Sequence, residues 1–146
     1  MSTLKEIVET TGRGVFATSP LAMVVEAVEL MCRQHVRALL VGDVENPVGI
    51  VSERDILERV ILTNRDPQTT PVELAMTAPL VSLPADSTAS EALAFMRFHR
   101  LHQVPIVTDE AIVGVVSSTD LMRWATREQE HEIRALKDYC CGKYPG

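Results

Sequence analysis

Aromatic side chains are scarce in this chain: three Phe, two Tyr and one Trp in 146 residues. Basic residues are in deficit too, 14 against 20 acidic, for a formal net charge of −6. A nucleic-acid surface needs a basic stripe and commonly stacking aromatics. Neither is present, so nucleic acid is not expected as a partner. A negative total does not exclude a small anionic ligand, because local groups decide that. No apolar run approaches the roughly 20 residues that cross a bilayer, so no membrane association is expected. The first nine residues, Met1 to Glu9, lack the apolar core of a secretory signal, and the expected location is the cytoplasm. Cys32, Cys140 and Cys141 are too few and too clustered for a disulfide framework. No phosphate-binding glycine loop, nucleophile elbow or Ser/His/Asp order occurs. Acidic pairs fall on predicted helix surfaces with nothing to poise them. An enzyme is therefore not expected.

What is present is a repeat. Val48-Gly49-Ile50-Val51-Ser52-Glu53-Arg54-Asp55 returns 65 residues later as Val113-Gly114-Val115-Val116-Ser117-Ser118-Thr119-Asp120. The register holds upstream, where Glu26-Ala27 falls on Glu91-Ala92 and Met31 on Met96. The unit is too long for a solenoid and too short for an ordinary independent domain. It implies two halves sharing a pseudo-symmetric core, with a cleft between them as a natural ligand site. Hydrophobic residues are 46% of the chain, enough for one compact domain.

Periodicity gives the elements. Leu4, Ile7 and Val8 share one face of a short N-terminal helix over 3–10. Val15–Thr18 reads as extended. Val24, Ala27, Val28 and Met31 predict a helix over 22–34, followed by the strand Ala38–Val41. Turn residues fill Asp43–Pro47. Val48–Val51 is a second strand and 53–62 a second helix. The polar stretch Thr63–Pro71 reads as the link between halves. The order then repeats: Leu80–Leu83 extended, a helix over 88–99, strands Val104–Val107 and Ile112–Val116, and a helix from near Ser118 to about Lys137. Each half is β-α-β-β-α, an α/β (α+β) class fold whose apolar strands are covered by helices on at least one face.

The repeated Ser-x-x-Asp sits where a strand ends and a helix begins. It has two readings. Ser at the N-cap with an acidic residue three positions on is a capping box, which stabilises a helix start with no ligand. The same geometry suits a nucleotide: a helix N-terminus attracts phosphate, and an ionised Asp can accept from neighbouring ribose hydroxyls. Gly49 and Gly114 would let a backbone or a ligand come close, or would mark bulges.

The paired segments Val48–Leu57 and Val113–Met122 resemble the ending of a CBS domain, Gly-hydrophobic-hydrophobic-(Ser/Thr)-x-x-Asp-hydrophobic. Glu26-Ala27 and Glu91-Ala92, each followed by Met, are similar to that family's first helix. Val104-Pro105-Ile106-Val107 resembles its central strand. The resemblance covers about 14–127 and is to a tandem pair, often called a Bateman module. It divides the chain into an N-terminal helix (1–13), a first CBS motif (14–63), a linker (64–76), a second motif (77–127) and a helical extension with a Cys-containing tail (128–146).

The resemblance implies a stand-alone regulatory module that binds an adenosine-containing ligand between the repeats: AMP, ADP, ATP, S-adenosylmethionine or NAD. It implies a homodimer built on helix faces and an unknown effector protein, with no obligatory cofactor. Carried over, Asp55 and Asp120 would accept from ribose, with Ser52 and Ser117 beside them. Arg37-Ala38 and His102-Gln103, just before the central strands, would lie near phosphate. Arg37 is always charged and is the better clamp. Arg54 and Thr119, inside the motifs, are further candidates. Thr18 and Ser82 lie in the extended entries that would face the base. The first half has Leu40 where the second has Pro105, and Glu53-Arg54 where the second has Ser118-Thr119. Two sites of unequal affinity are expected.

Other features have plainer readings. His99 and His102, with His35 at the comparable place, read as solvated or phosphate-facing rather than as metal ligands, which need a fixed convergent set. Cys140-Cys141 reads as a tail with free thiols. Residues 127–134 read as a solvated helix face, and Trp124 as packing. A structural dimerisation module, or a metal or redox sensor using His102 or Cys140-Cys141, remain the alternatives from other classes.

Overall fold

Two three-stranded sheets carry the repeat. The structure is a computed structural model that describes residues 2–109 and 111–140. The first sheet is β1 (Ala17–Thr18), β2 (Ala38–Asp43) and β3 (Asn46–Ser52), in that order. β1 runs parallel to β2, and β2 antiparallel to β3. The second sheet repeats this with β4 (Leu83–Pro84), β5 (Gln103–Thr108) and β6 (Ala111–Ser117). Between the first two strands of each sheet lies an 11-residue helix, α2 (Val24–Gln34) or α4 (Ala89–His99). Their inward faces, Val24, Ala27 and Met31 against Ala89, Ala92 and Met96, are buried at equivalent positions. The helical spacing of the sequence is the cause.

Both helices stop the same way. His35 and Arg100 sit at the C-caps in the left-handed region, each with φ 56°. Glycine ordinarily fills such a position; a residue with a Cβ costs roughly 1–2 kcal/mol there. The hydrogen bonds Val36 N–H to the Met31 carbonyl (3.1 Å) and Leu101 N–H to the Met96 carbonyl (2.8 Å) close the ends.

The helices after β3 and β6 differ. α5 (Ser118–Cys140) is one continuous α-helix of 23 residues. Its counterpart α3 holds α-geometry only over Glu53–Ile56, then widens to a π turn over Leu57–Ile61. The uniform helix expected over 53–62 is therefore α only in its first turn and π after it. The wider turn leaves Val60 fully buried while the Arg59 guanidinium reaches the carbonyls of Ala75 and Met76. Such turns concentrate at functional sites.

The core is split in two, and each half borrows from the other's flank. α1 (Leu4–Thr11) begins at a Thr3 cap and ends at Gly12, φ 61°. Its Leu4 and Ile7 are fully buried with Ala92, Met96, Val104 and Leu121 of the second repeat. Leu4 N–H donates to the Ser87 carbonyl and Lys5 N–H to that of Ala85, both at 2.9 Å. The segment between repeats does the reverse. Val72 and Ala75, in and after a short 3-10 turn at Val72–Leu74, are fully buried in the first core. Val24 N–H donates to Thr70 and Val72 N–H to Ala22, both at 2.8 Å. Each fully buried aliphatic side chain contributes about 1.5–3 kcal/mol, so both flanks are structural parts of the repeats they cover. Trp124 packs against the second core as expected.

Candidate functional site

Ser52 and Asp55 form the capping box that their spacing allows. Asp55 N–H donates to Ser52 Oγ (3.2 Å), and Asp55 Oδ2 accepts from both Ser52 N–H and Ser52 Oγ (2.9 Å each). The first free N–H of α3, that of Glu53, donates to the Arg37 carbonyl at 3.0 Å. Two of the donors that a phosphate would use at this helix start are thus already taken. Among the described residues, Asp55 Oδ1 accepts only from the Thr77 hydroxyl, at 3.2 Å. An ionised carboxylate has about four acceptor positions, so Oδ1 can still take a ligand hydroxyl.

The close approach anticipated at the two strand glycines is made by the chain itself. Ile50 and Thr77 exchange both backbone hydrogen bonds, at 2.8 and 3.0 Å. A Cβ on Gly49 would lie 2.7 Å from the Thr77 carbonyl oxygen. On the other side a Cβ on Gly114 would lie 2.6 Å from Val8 Cγ1. The register shifts fall elsewhere, at Val41/Gly42 and Ile106/Val107. Each repeat's glycine strand thus receives the flank that precedes the other repeat.

Asp120 stands in the same cap as Asp55 but not in the same surroundings. Ser117 N–H donates to its Oδ2 and Asp120 N–H donates to Ser117 Oγ, both at 3.0 Å. The Arg13 guanidinium, from the turn after α1, also donates to Oδ2 and forms an ion pair with it. Burial acts to raise the Asp120 pKa. The Ser117 backbone N–H, the Arg13 guanidinium and the Ser117 hydroxyl outweigh it and hold the carboxyl below its ordinary value.

A cavity of about 750 Å³ opens between the repeats on the Asp55 side, a size typical of small-molecule sites. The first repeat contributes Ile50, Ser52, Arg54 and Asp55, with Arg59 from the π turn. Thr77 lies at the crossing. The second repeat contributes His102 and Gln103 before the central strand, with Ser118 and Met122 from α5. Its α4 adds Arg97, His99 and Arg100. A second cavity, also about 750 Å³, lies over α2 and α3 and takes in Cys32, His35 and Arg37. Its lining includes neither Ser117 nor Asp120.

The structure therefore brings Ser52, Arg54, Asp55, His102 and Gln103 together across the cleft. Arg37 faces the second cavity and is 3.8 Å from Glu53. Ala38 is buried at the start of β2, and Thr18 is half-buried on β1. Ser82 and Thr119 are exposed, and neither lines the two cavities. Cys32 is a free, exposed thiol; Cys141, the tail and the Cys140 thiol lie outside the described residues. Among the described residues no group of three or more His, Cys, Asp or Glu could hold a metal ion. No helix among them is long and apolar enough to cross a membrane.

Sequence reasoning missed Arg13, Arg59, Thr77, Arg97 and Arg100. Arg13 carried a signal, being one cation between two glycines at a helix-to-strand turn. Arg97 and Arg100 bracket His99 and form a short basic run in an acidic chain. Arg59 and Thr77 carried none, because the π turn and the crossing that place them are tertiary.

The comparisons with known proteins agree with this fold. The CBS domain profile matches residues 4–62 and again 72–127, and the chain belongs to the CBS-domain family as a tandem pair. It is 30% identical over 126 residues to the Arabidopsis thaliana "CBS domain-containing protein CBSX3, mitochondrial", which covers 83% of this chain. The chain spans less than two thirds, 61%, of that protein's length. It is 33% identical over 121 residues to Bacillus subtilis "CBS domain-containing protein YhcV", covering 83% of this chain and 84% of that one. A solved structure from Burkholderia ambifaria, described as a putative signal-transduction protein with CBS domains, superposes with a TM-score of 0.79. It is 30% identical and covers 88% of this chain and 96% of its own. The family is regulatory and often binds adenosine-type ligands.

Proposed function

We propose that this chain is a regulatory module that binds an adenosine-containing ligand in the Asp55 cleft and passes its occupancy to a partner protein. The observation that carries the reading is the shared cavity. It joins the motif carboxylate of one repeat to the pre-strand residues His102 and Gln103 of the other. A ligand seated there touches both repeats at once and favours the arrangement that fits it, which is how binding becomes a signal. On this reading Asp55 accepts from a ribose hydroxyl at Oδ1, and the Asp120 side, tied to Arg13, is the weaker site. The module works as a homodimer in the cytoplasm. Leu57, Ile61 and Leu62 on the first repeat and Met122 on α5 are exposed apolar residues suited to the contact between copies.

The test is a melting-temperature panel with AMP, ADP, ATP, S-adenosylmethionine, NAD and GTP on wild type and Asp55→Ala. Ligand at 100 times its Kd stabilises by about 2.7 kcal/mol. A selective shift in wild type that Asp55→Ala removes supports the reading. No shift in nucleotide-free protein favours a dimerisation scaffold, in which Ser52 and Asp55 serve only as a cap.

A further inference from the structure

We infer that the Asp55 cleft selects a ligand with two or more phosphates, and that Arg97 and Arg100 of the second repeat clamp the phosphate chain. The inference rests on the nucleotide reading above and names the ligand class and the residues that read it. Among the described residues the cleft holds four guanidinium groups, Arg54, Arg59, Arg97 and Arg100, against two carboxylates, Asp55 and Glu58. Four against two leaves a formal charge of +2 in a chain of net charge −6. A local excess of one sign inside a cleft concentrates ligands of the other.

The four arginines are not equally available. Arg54 donates to Glu58 at 2.9 Å, and Arg59 donates to the backbone carbonyls of Ala75 and Met76. Among the described residues, neither Arg97 nor Arg100 makes an ion pair or a side-chain hydrogen bond. Both are exposed and both line the cavity. Arg97 in the last turn of α4 would also complement the helix dipole, which explains a cation there without any ligand. The dipole also reaches Arg100 at the C-cap, but it does not account for a side chain at φ 56°, where glycine would be less strained. A strained cation aimed at a cleft marks a position held for what its side chain does. Guanidinium forks match phosphate oxygens in geometry as well as charge. A cationic sulfonium such as S-adenosylmethionine is disfavoured in the same field, and a single phosphate leaves one fork unused.

The experiment is calorimetric titration of the full chain with adenosine, AMP, ADP and ATP, on wild type, Asp55→Ala and the double variant Arg97→Ala/Arg100→Gly. Affinity is expected to rise with phosphate number in wild type. The double variant should flatten that series, with a loss for ATP on the order of tenfold to a hundredfold, the scale of one charged hydrogen bond, and none for adenosine. Arg100→Gly relieves the left-handed backbone, so an unchanged or raised Tm shows that the loss is not misfolding. A wild-type series that does not rise, or an ATP-to-AMP ratio unchanged in the double variant, overturns the inference while Asp55→Ala still weakens every member. If no member binds, or Asp55→Ala alters none, the nucleotide reading itself fails and the inference goes with it.

Discussion

Asp55 and Asp120 show how far two identical residues can diverge. Both close a helix cap, but among the described residues only Asp120 has a guanidinium on it. Its lowered pKa fixes the sign of a pH effect. A carboxyl with a depressed folded-state pKa stabilises the protein above the ordinary carboxylate pKa of about 4. That stability is lost as pH falls through the lower folded value. Asp120→Asn should lower the Tm at pH 7, by the equivalent of about 1 kcal/mol for this part-buried pair, and the gap to wild type should close in acid. A gap that does not narrow at all as pH falls below about 4, the unfolded value, would show that the pair contributes no charge term. Arg13→Ala removes the same pair from the other end and frees Asp120. Equilibrium binding of a nucleotide should then show a second site that wild type fills weakly. At this scale the sequence was legible where a residue acts locally. Ser52 to Asp55 and Ser117 to Asp120 could be read as caps because three residues of spacing decide a cap. Arg13, 107 residues from its partner, could not.

The elements were largely legible, because their causes are periodic. The apolar stripes of α2 and α4 and the short apolar runs of β2, β3, β5 and β6 fall within two or three residues of their expected bounds. The π turn over Leu57–Ile61 was not, since its stretch has helical periodicity and no glycine or proline to mark a break. What widens it is tertiary, with Val60 in the core and Arg59 on the carbonyls of Ala75 and Met76. The strand glycines give an element-scale prediction. Gly49→Ala drives a methyl against a backbone carbonyl that is itself in a strand pair, so it should destabilise by about 1–3 kcal/mol. Gly114→Ala meets the Val8 side chain first. It should cost less, and Val8→Ala should restore most of the loss in a double-mutant cycle. Chemical denaturation of the four variants and wild type measures both, and equal costs at the two glycines would contradict the contacts described.

At the scale of the molecule the two repeats are exchanged at their edges. α1 completes the second core, and the stretch around Val72 completes the first. The sequence displayed the repeat but not the exchange, because nothing local says which sheet a flanking segment covers. Leu4→Ala should therefore cost about 2–5 kcal/mol, although Leu4 lies in a segment outside the repeated pattern. Hydrogen exchange should report the loss first in β5 and β6 rather than in the neighbouring first repeat. Protection lost first in β2 and β3 would refute the exchange.

The exchange also sets an order of assembly. The first repeat can close once Ala75 has left the ribosome. Helix α1 emerges before both repeats, yet the carbonyl that receives Leu4 belongs to Ser87, and Leu121 of the same core comes later still. Its apolar face has to wait until the second repeat is made, at some 5–20 residues per second. Pairing so distant in sequence closes slowly. A chain released early, anywhere between the two repeats, would carry a finished first half and an unpartnered sticky helix. The module thus makes first the piece that it uses last.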